Sequence, residues 1–231
     1  MGTFSKALAS VGCAVAIQDI ERTVAQAEAD AINHAGGRAV ALGGDITDLV
    51  VVQTLIDLTV RALGGLHILV NNAAVQKNQH WLEDSVEHLR RTFDADLIAP
   101  IVLCQAAARI FTAQKFGRII NLGSIQQRRC NPHMLPYSLS KLALTGVTKA
   151  LALDLAGDGV TVNLIAPGWF NTHRNRDDLR TQQDVIDRGR RVPVGRLGEP
   201  RDCAGLALLL CSPAGEYITG QAIFVDGGMS A

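Results

Sequence analysis

The chain has 231 residues, enough to bury one good core, and no stretch of it reads as a domain linker. Its 22 basic and 22 acidic side chains cancel, which argues against a nucleic-acid or polyanion binder. Apolar runs such as 204–211 are far shorter than the roughly 20 residues of a bilayer-crossing helix, and no basic, apolar leader opens the chain, so neither a membrane span nor a secretory signal is expected.

Taken in order, residues 1–12 read as a helix. Short apolar, β-branched runs follow at 13–18, 38–42, 67–70, 118–122, 161–165 and 222–225, and each is nearly all apolar, as in strands covered on both faces. Between them lie helical patterns at 21–34, 49–62, 97–113, 137–156 and 201–211. Gly36-Gly37, Gly64-Gly65 and Gly157-Asp158-Gly159 fall where helix ends need a left-handed residue. The alternation predicts an α/β fold: one Rossmann-like domain with a doubly wound parallel sheet and helices on both faces. Segment 173–192 is rich in Arg and Asp and lacks a clean period, the character of a lid.

The five cysteines, Cys13, Cys104, Cys130, Cys203 and Cys211, are odd in number and form no Cys-x-x-Cys pair. They read as buried thiols in a reducing, cytoplasmic compartment. Cys130 and His133 have a ligand-like spacing, but no second pair closes a coordination shell, so no metal site is expected. His34, His67 and His88 read as surface or helix-end residues.

In a doubly wound sheet, ligands bind outside the carboxyl ends of the strands. Asp19, Asp45, the run Asn71-Asn72-Ala73-Ala74, Ser124, and Pro167-Gly168 through Thr172 each follow one strand at that edge. A carboxylate placed like Asp19 accepts two ribose hydroxyls and repels a 2′-phosphate, which favours NAD; Arg22 beside it keeps NADP open. Asp19 could equally cap the next helix.

Tyr137 and Lys141 stand at i,i+4, so on a helix they share a face. An ammonium about 4 Å from a phenol, at an effective dielectric of about 20, favours the phenolate by roughly 4 kcal/mol. That corresponds to roughly three pKa units, bringing a tyrosine toward neutrality. With the Ser124 hydroxyl to hold a substrate oxygen, the three form a proton-transfer device for an alcohol or ketone.

These residues together resemble the short-chain dehydrogenase/reductase family in its compact form. The resemblance rests on Asp45-Ile46-Thr47-Asp48, Asn71-Asn72-Ala73-Ala74, Ser124 with Tyr137-x-x-x-Lys141, Asn163-Leu164-Ile165-Ala166-Pro167-Gly168 with Thr172, Gly195-Arg196-Leu197-Gly198-Glu199-Pro200, and Asp226-Gly227-Gly228. It implies an NAD- or NADP-dependent oxidoreductase, with Tyr137 as general acid/base, Lys141 holding the nicotinamide ribose, Ser124 orienting the substrate oxygen and Thr172 on the carboxamide. Cofactor contacts are implied for Asp19, Asp45, Ile46, Asn72, Ala73, Ala74, Pro167 and Gly168.

The chain departs from the family pattern in two places. The first strand and its Thr-Gly-x-x-x-Gly-x-Gly loop do not appear, so the expectation is a sheet lacking a central strand, with weak NAD binding and poor stability. Asp96 stands where the family has the asparagine of its catalytic tetrad, and its charge near Lys141 would blunt the lysine's effect on Tyr137. These departures leave open a degenerate member that binds nucleotide or a partner without turnover.

Gln126 and Trp169 lie beside the matched motifs and could face substrate, with Gln127, His80 and Met134 nearby. Amides and an imidazole suit a sugar, polyol or sugar acid; a 3-oxoacyl-carrier-protein reductase is the alternative. Small residues Ala106, Ala107, Ala143 and Gly146 on two helices permit close packing, and the resemblance implies a homo-dimer or homo-tetramer.

Overall fold

The computed structural model describes residues 2–172 and 179–231. The chain winds through α1 (Thr3–Ser10), β1 (Ala14–Asp19), α2 (Arg22–His34), β2 (Arg38–Gly43), α3 (Leu49–Leu63), β3 (Ile68–Asn71), α4 (Val86–Phe93), α5 (Ala99–Gln114), β4 (Gly117–Leu122), α6 (Gln126–Arg129), α7 (Leu135–Leu155), β5 (Val160–Pro167), α8 (Gln182–Gly189), α9 (Arg201–Cys211) and β6 (Ala222–Val225). Every strand pairing is parallel, and helices cover both faces. The expected α/β fold is therefore present, with strand ends within a residue or two of those read from the sequence.

Local chemistry sets the boundaries. The Asp48 carboxylate accepts the Val50 N–H at 3.0 Å and starts α3, and Gly64, at φ 88°, ends it. Pro136 occupies the first turn of α7, where its missing N–H is harmless. Gly117 opens β4 directly against the Phe111 ring; a β-carbon there would lie 2.3 Å from that ring. Phe111 itself is fully buried with Ile119, Val160 and Val162, and its truncation to alanine would cost about 3–5 kcal/mol.

The strands form two sheets, β1-β2 and β3-β4-β5-β6. β1 and β3 do not pair with each other, so each has an edge without a strand partner among the described residues. The burial pattern follows: β5 is buried at seven of its eight positions, whereas β1 is half-exposed throughout apart from the exposed Ala14. Helices tie the sheets together. On one side α1 places Phe4 against Ile165, Cys203 and Ala207, and Ala9 against Ile32, Val15 and Ile17. On the other, α3 packs Val52 and Leu55 between Leu42 of β2 and Ala73, Val102 and Leu103.

Several expectations are corrected. The helix read at 97–113 is the last part of a longer rod in which α4, a π turn (Asp94–Ile98) and α5 run on without a break. That rod, Val86–Gln114, is long and apolar enough to cross a membrane by length and composition, yet its apolar side packs on α3, α7, β3 and β4. The segment read as an aperiodic lid contains α8, started by a capping box between Thr181 and Asp184. The lid residues Arg174, Arg176, Asp177 and Asp178 lie outside the described residues. Cys130 is exposed and Cys13 and Cys211 only partly covered, so not every thiol is buried. His88 is no plain surface residue: Nδ1 meets the buried Asp84 carboxylate, and Nε2 lies 3.2 Å from Thr92 Oγ1.

Candidate active site

The carboxyl ends of β3, β4 and β5 place the predicted residues along one edge. Beneath it, Asn71 of β3 donates to Asn121 Oδ1 of β4 at 2.8 Å, and Asn121 donates to Thr148 Oγ1 of α7 at 3.0 Å. This buried ladder fixes the register of the two strands and the helix that carry the catalytic candidates. Asn71 also donates to Cys104 Sγ, whose thiol burial pushes up to about 12, so it stays protonated and inert.

Tyr137 and Lys141 are buried on the inner face of α7, one turn apart, with Lys141 Nζ 5.5 Å from the centre of the Tyr137 ring. Asp96, fully buried in the π turn, has Oδ2 3.8 Å from Lys141 Nζ, and its Oδ1 accepts the Val75 N–H at 2.6 Å. The π turn inserts one extra residue into the rod, as π bulges at functional sites often do. One carboxylate thus joins the turn after β3 to the lysine of α7. Ser124, 9% exposed, lies two residues beyond β4; its Oγ accepts the Gln126 N–H at 3.2 Å and its N–H donates to Gln127 Oε1 at 3.2 Å. Tyr137, Lys141 and Asp96 are thus joined by contact, and Ser124 stands at the carboxyl end of β4 with Gln126 and Gln127 as its partners.

The residues expected to meet a dinucleotide lie along the same edge. Asp45 accepts from the N–H and hydroxyl of Thr47, at 2.9 and 2.8 Å, and from Arg91. The Thr47 N–H does most to hold its carboxyl below the usual range, against the opposing effect of burial. Ile46 is buried beside Val52 and Ala73. Asp19 ends β1 and accepts the Glu21 N–H at 3.0 Å; the residue preceding α2 is Glu21, so Asp19 is not the helix cap. Asn72, Ala73 and Ala74 form the half-buried turn after β3. Pro167 O accepts the Ile125 N–H at 2.9 Å, tying the end of β5 to the serine loop. Gly168 is required by contact: a β-carbon would lie 2.7 Å from Asp226 Cα. Thr172 stands just beyond Asn171, whose N–H donates to Gly198 O. An edge of close backbone approaches and acceptors suits a nucleotide's ribose and nicotinamide.

On the substrate side, Gln126 Oε1 is buried and accepts no hydrogen bond from the described residues. Trp169 packs on Ile125, Val192, Leu197 and Met229, with the Arg188 and Arg191 guanidiniums 5.6 and 5.3 Å from its ring centre. His80 and His133 meet edge to face at 5.0 Å. Sequence reasoning missed the π turn, the Val75–Asp96 bond and the role of Gln127 as acceptor for Ser124; only Asp96, as a departure from the family pattern, was legible.

The family model described as enoyl-(acyl carrier protein) reductase matches residues 3–230. The chain belongs to the short-chain dehydrogenase/reductase family. It is 36% identical over 201 residues to 3β-hydroxysteroid dehydrogenase 1 of Eggerthella lenta, covering 87% of this chain and 77% of that one. It is 33% identical over 225 residues to the 3-oxoacyl-[acyl-carrier-protein] reductase of Synechocystis, covering 96% and 89%. Among solved structures it resembles a gluconate 5-dehydrogenase from Burkholderia cenocepacia in complex with NADP and tartrate, at TM-score 0.92 and 31% identity, over 99% of this chain and 89% of that one. This short-chain dehydrogenase/reductase is an NAD(P)-dependent oxidoreductase acting on a CH–OH group. The reading as a binding protein without turnover is thereby set aside.

Proposed function

We propose that the enzyme interconverts a secondary alcohol and a ketone on a sugar, polyol or sugar acid, with NAD preferred over NADP. The observation that carries the substrate class is the buried Gln126 Oε1, two residues from Ser124, which has no hydrogen-bond partner among the described residues. A buried acceptor without a donor costs about 1–3 kcal/mol, and a substrate hydroxyl would relieve it. A hydrocarbon surface would not. The gluconate 5-dehydrogenase likeness supports the same class.

In this reading Tyr137 passes a proton to the ketone oxygen in reduction and takes it from the alcohol in oxidation. Ser124 Oγ donates to the same oxygen and fixes its position. Lys141 stabilises the tyrosinate and holds the nicotinamide ribose. Asp96 fixes Lys141 and the turn ending at Val75. The nicotinamide, when bound, supplies or accepts the hydride. Asp19 selects NAD, because its carboxylate would lie against a 2′-phosphate.

The alternative, reduction of 3-oxoacyl thioesters, is favoured by the 33% identity to the Synechocystis reductase. A panel of sugars, polyols, sugar acids and oxoacyl thioesters, run with NADH and NADPH, decides between them. Higher kcat/KM on an oxoacyl thioester than on every hydroxylated substrate would overturn the first reading.

The assembly proposed is a homo-dimer or homo-tetramer. The outer face of α7 presents Leu139, Ala143, Gly146, Ala150 and Leu153, all exposed, and a β-carbon on Gly146 would meet nothing. Such an apolar, small-residue helix face suits a second copy of itself.

A further inference from the structure

Behind the catalytic edge, α6, α7 and strand β6 line an open groove of about 560 Å³. Its lining includes Gln127, Arg128, Leu142, Thr145, Lys149 and Phe224, and contains no Asp or Glu. Arg128 stacks at 4.3 Å on the Phe224 ring and spends one donor on Ser230 O, leaving the rest of its guanidinium available. Lys149 is exposed and makes no ion pair among the described residues. The groove is therefore positive at its mouth and apolar along Leu142 and Phe224.

Two of its walls reach back to the catalytic residues. Gln127 is 7% exposed; its Oε1 accepts the Ser124 N–H, while its amide nitrogen makes no hydrogen bond to the described residues. Thr145 Oγ1 donates to the Lys141 carbonyl at 3.4 Å. The single turn of α6 carries Gln127 and Arg128 and ends at Cys130 with φ 42°, a left-handed conformation uncommon outside glycine.

We propose that the groove is an effector site for a short-chain alkyl carboxylate. The carboxylate bonds to the Gln127 amide nitrogen and the Arg128 and Lys149 cations, and the alkyl chain lies along Leu142 and Phe224. The volume lies in the range of small-molecule sites. Charge-assisted bonds supply the affinity, and the Gln127–Ser124 and Thr145–Lys141 contacts couple the groove to the active site. Coupling is reciprocal: the carboxylate and the coenzyme change each other's affinity by one factor. The coupling half rests on the catalytic reading of Ser124 and Lys141; the binding half does not.

The test uses sodium hexanoate as probe, with sodium chloride at equal ionic strength as control. Calorimetry on the whole chain should show one saturable site per chain, weakened about ten-fold or more in Lys149→Glu and Arg128→Leu. Circular dichroism checks that each variant folds, and Lys149, on the surface, keeps the test sound if Arg128→Leu does not. NADH affinity, titrated by fluorescence with and without saturating hexanoate, should change about five-fold or more in the wild type and less in Gln127→Leu. Absence of a saturable heat, binding untouched by Lys149→Glu, or competition between hexanoate and NADH would overturn the site. Binding without any change in NADH affinity would overturn the coupling alone.

Discussion

Lys141 Nζ lies 3.8 Å from Asp96 Oδ2, and neither side chain is more than 3% exposed. The lysine that should stabilise a tyrosinate therefore shares its charge with a buried carboxylate. Asp96→Asn keeps an oxygen for the Val75 N–H but removes the negative charge beside the lysine. We expect the ascending, low-pH limb of the oxidation profile, where the tyrosine must lose its proton, to move to lower pH by about one unit. Measured kcat/KM against pH checks it; a limb that stays put would mean that Asp96 acts only as an anchor for the turn.

Tyr137→Phe keeps the ring in its buried place and deletes only the hydroxyl. Turnover should fall by about 10²–10⁴-fold, the usual worth of a positioned general acid/base. NADH binding should fall far less, because Lys141 and the Asp19 and Asp45 turns remain. Fluorescence titration beside steady-state kinetics separates the two; a variant with retained turnover would remove Tyr137 from the proposed chemistry.

What could be read beforehand divides along physical lines. Parallel strands such as 118–122 and 161–165 announce themselves because burial on both faces makes them uniformly apolar, and glycine ends such as Gly64 and Gly159 mark where a left-handed residue is needed. The Tyr137–Lys141 pair was legible because i,i+4 spacing puts both side chains on one face of α7. The π turn was not, since one extra residue leaves no compositional trace. Gln127 was read as a substrate-side residue, yet its acceptor oxygen faces back to Ser124 through a contact that no spacing rule contains. α8 went unread because its amphipathic pattern is short and diluted by charge.

The Arg196–Asp202 pair links the turn before α9 to that helix's first turn, at 2.7 Å. The Arg196 hydrogen bonds, and then the Glu199 N–H, hold the Asp202 carboxyl below the usual range. A depressed folded-state value means the pair stabilises above the unfolded value of about 3.9 and fades as pH falls through the folded one. Because the pair is mostly solvent-exposed, the effect is small. Asp202→Asn should lower the thermal midpoint slightly at pH 7, and the gap from wild type should close below about pH 3. Melting curves across pH 2–7 read it out; a gap independent of pH would assign the loss to the Glu199 cap instead.

The divided sheet predicts uneven cooperativity. β4 and β5 lie in the four-stranded part, paired on both edges and buried, whereas β1, half-exposed along most of its length, pairs with β2 alone among the described residues. Local opening of β1 and β2 breaks one pairing and exposes a small cluster around Ala29 and Ile32. Opening β5 breaks two pairings and uncovers the main core. Native-state hydrogen exchange should therefore show the amides of β5 exchanging only through global unfolding, and those of β1 through a smaller opening at lower free energy. A ligand that crosses the edge between Asp19 and Asn72 should slow exchange in β1 more than in β5, because only β1 has a local opening to suppress. Equal protection of the two strands, with and without NADH, would show that α1 and α3 already weld the sheets into one cooperative unit.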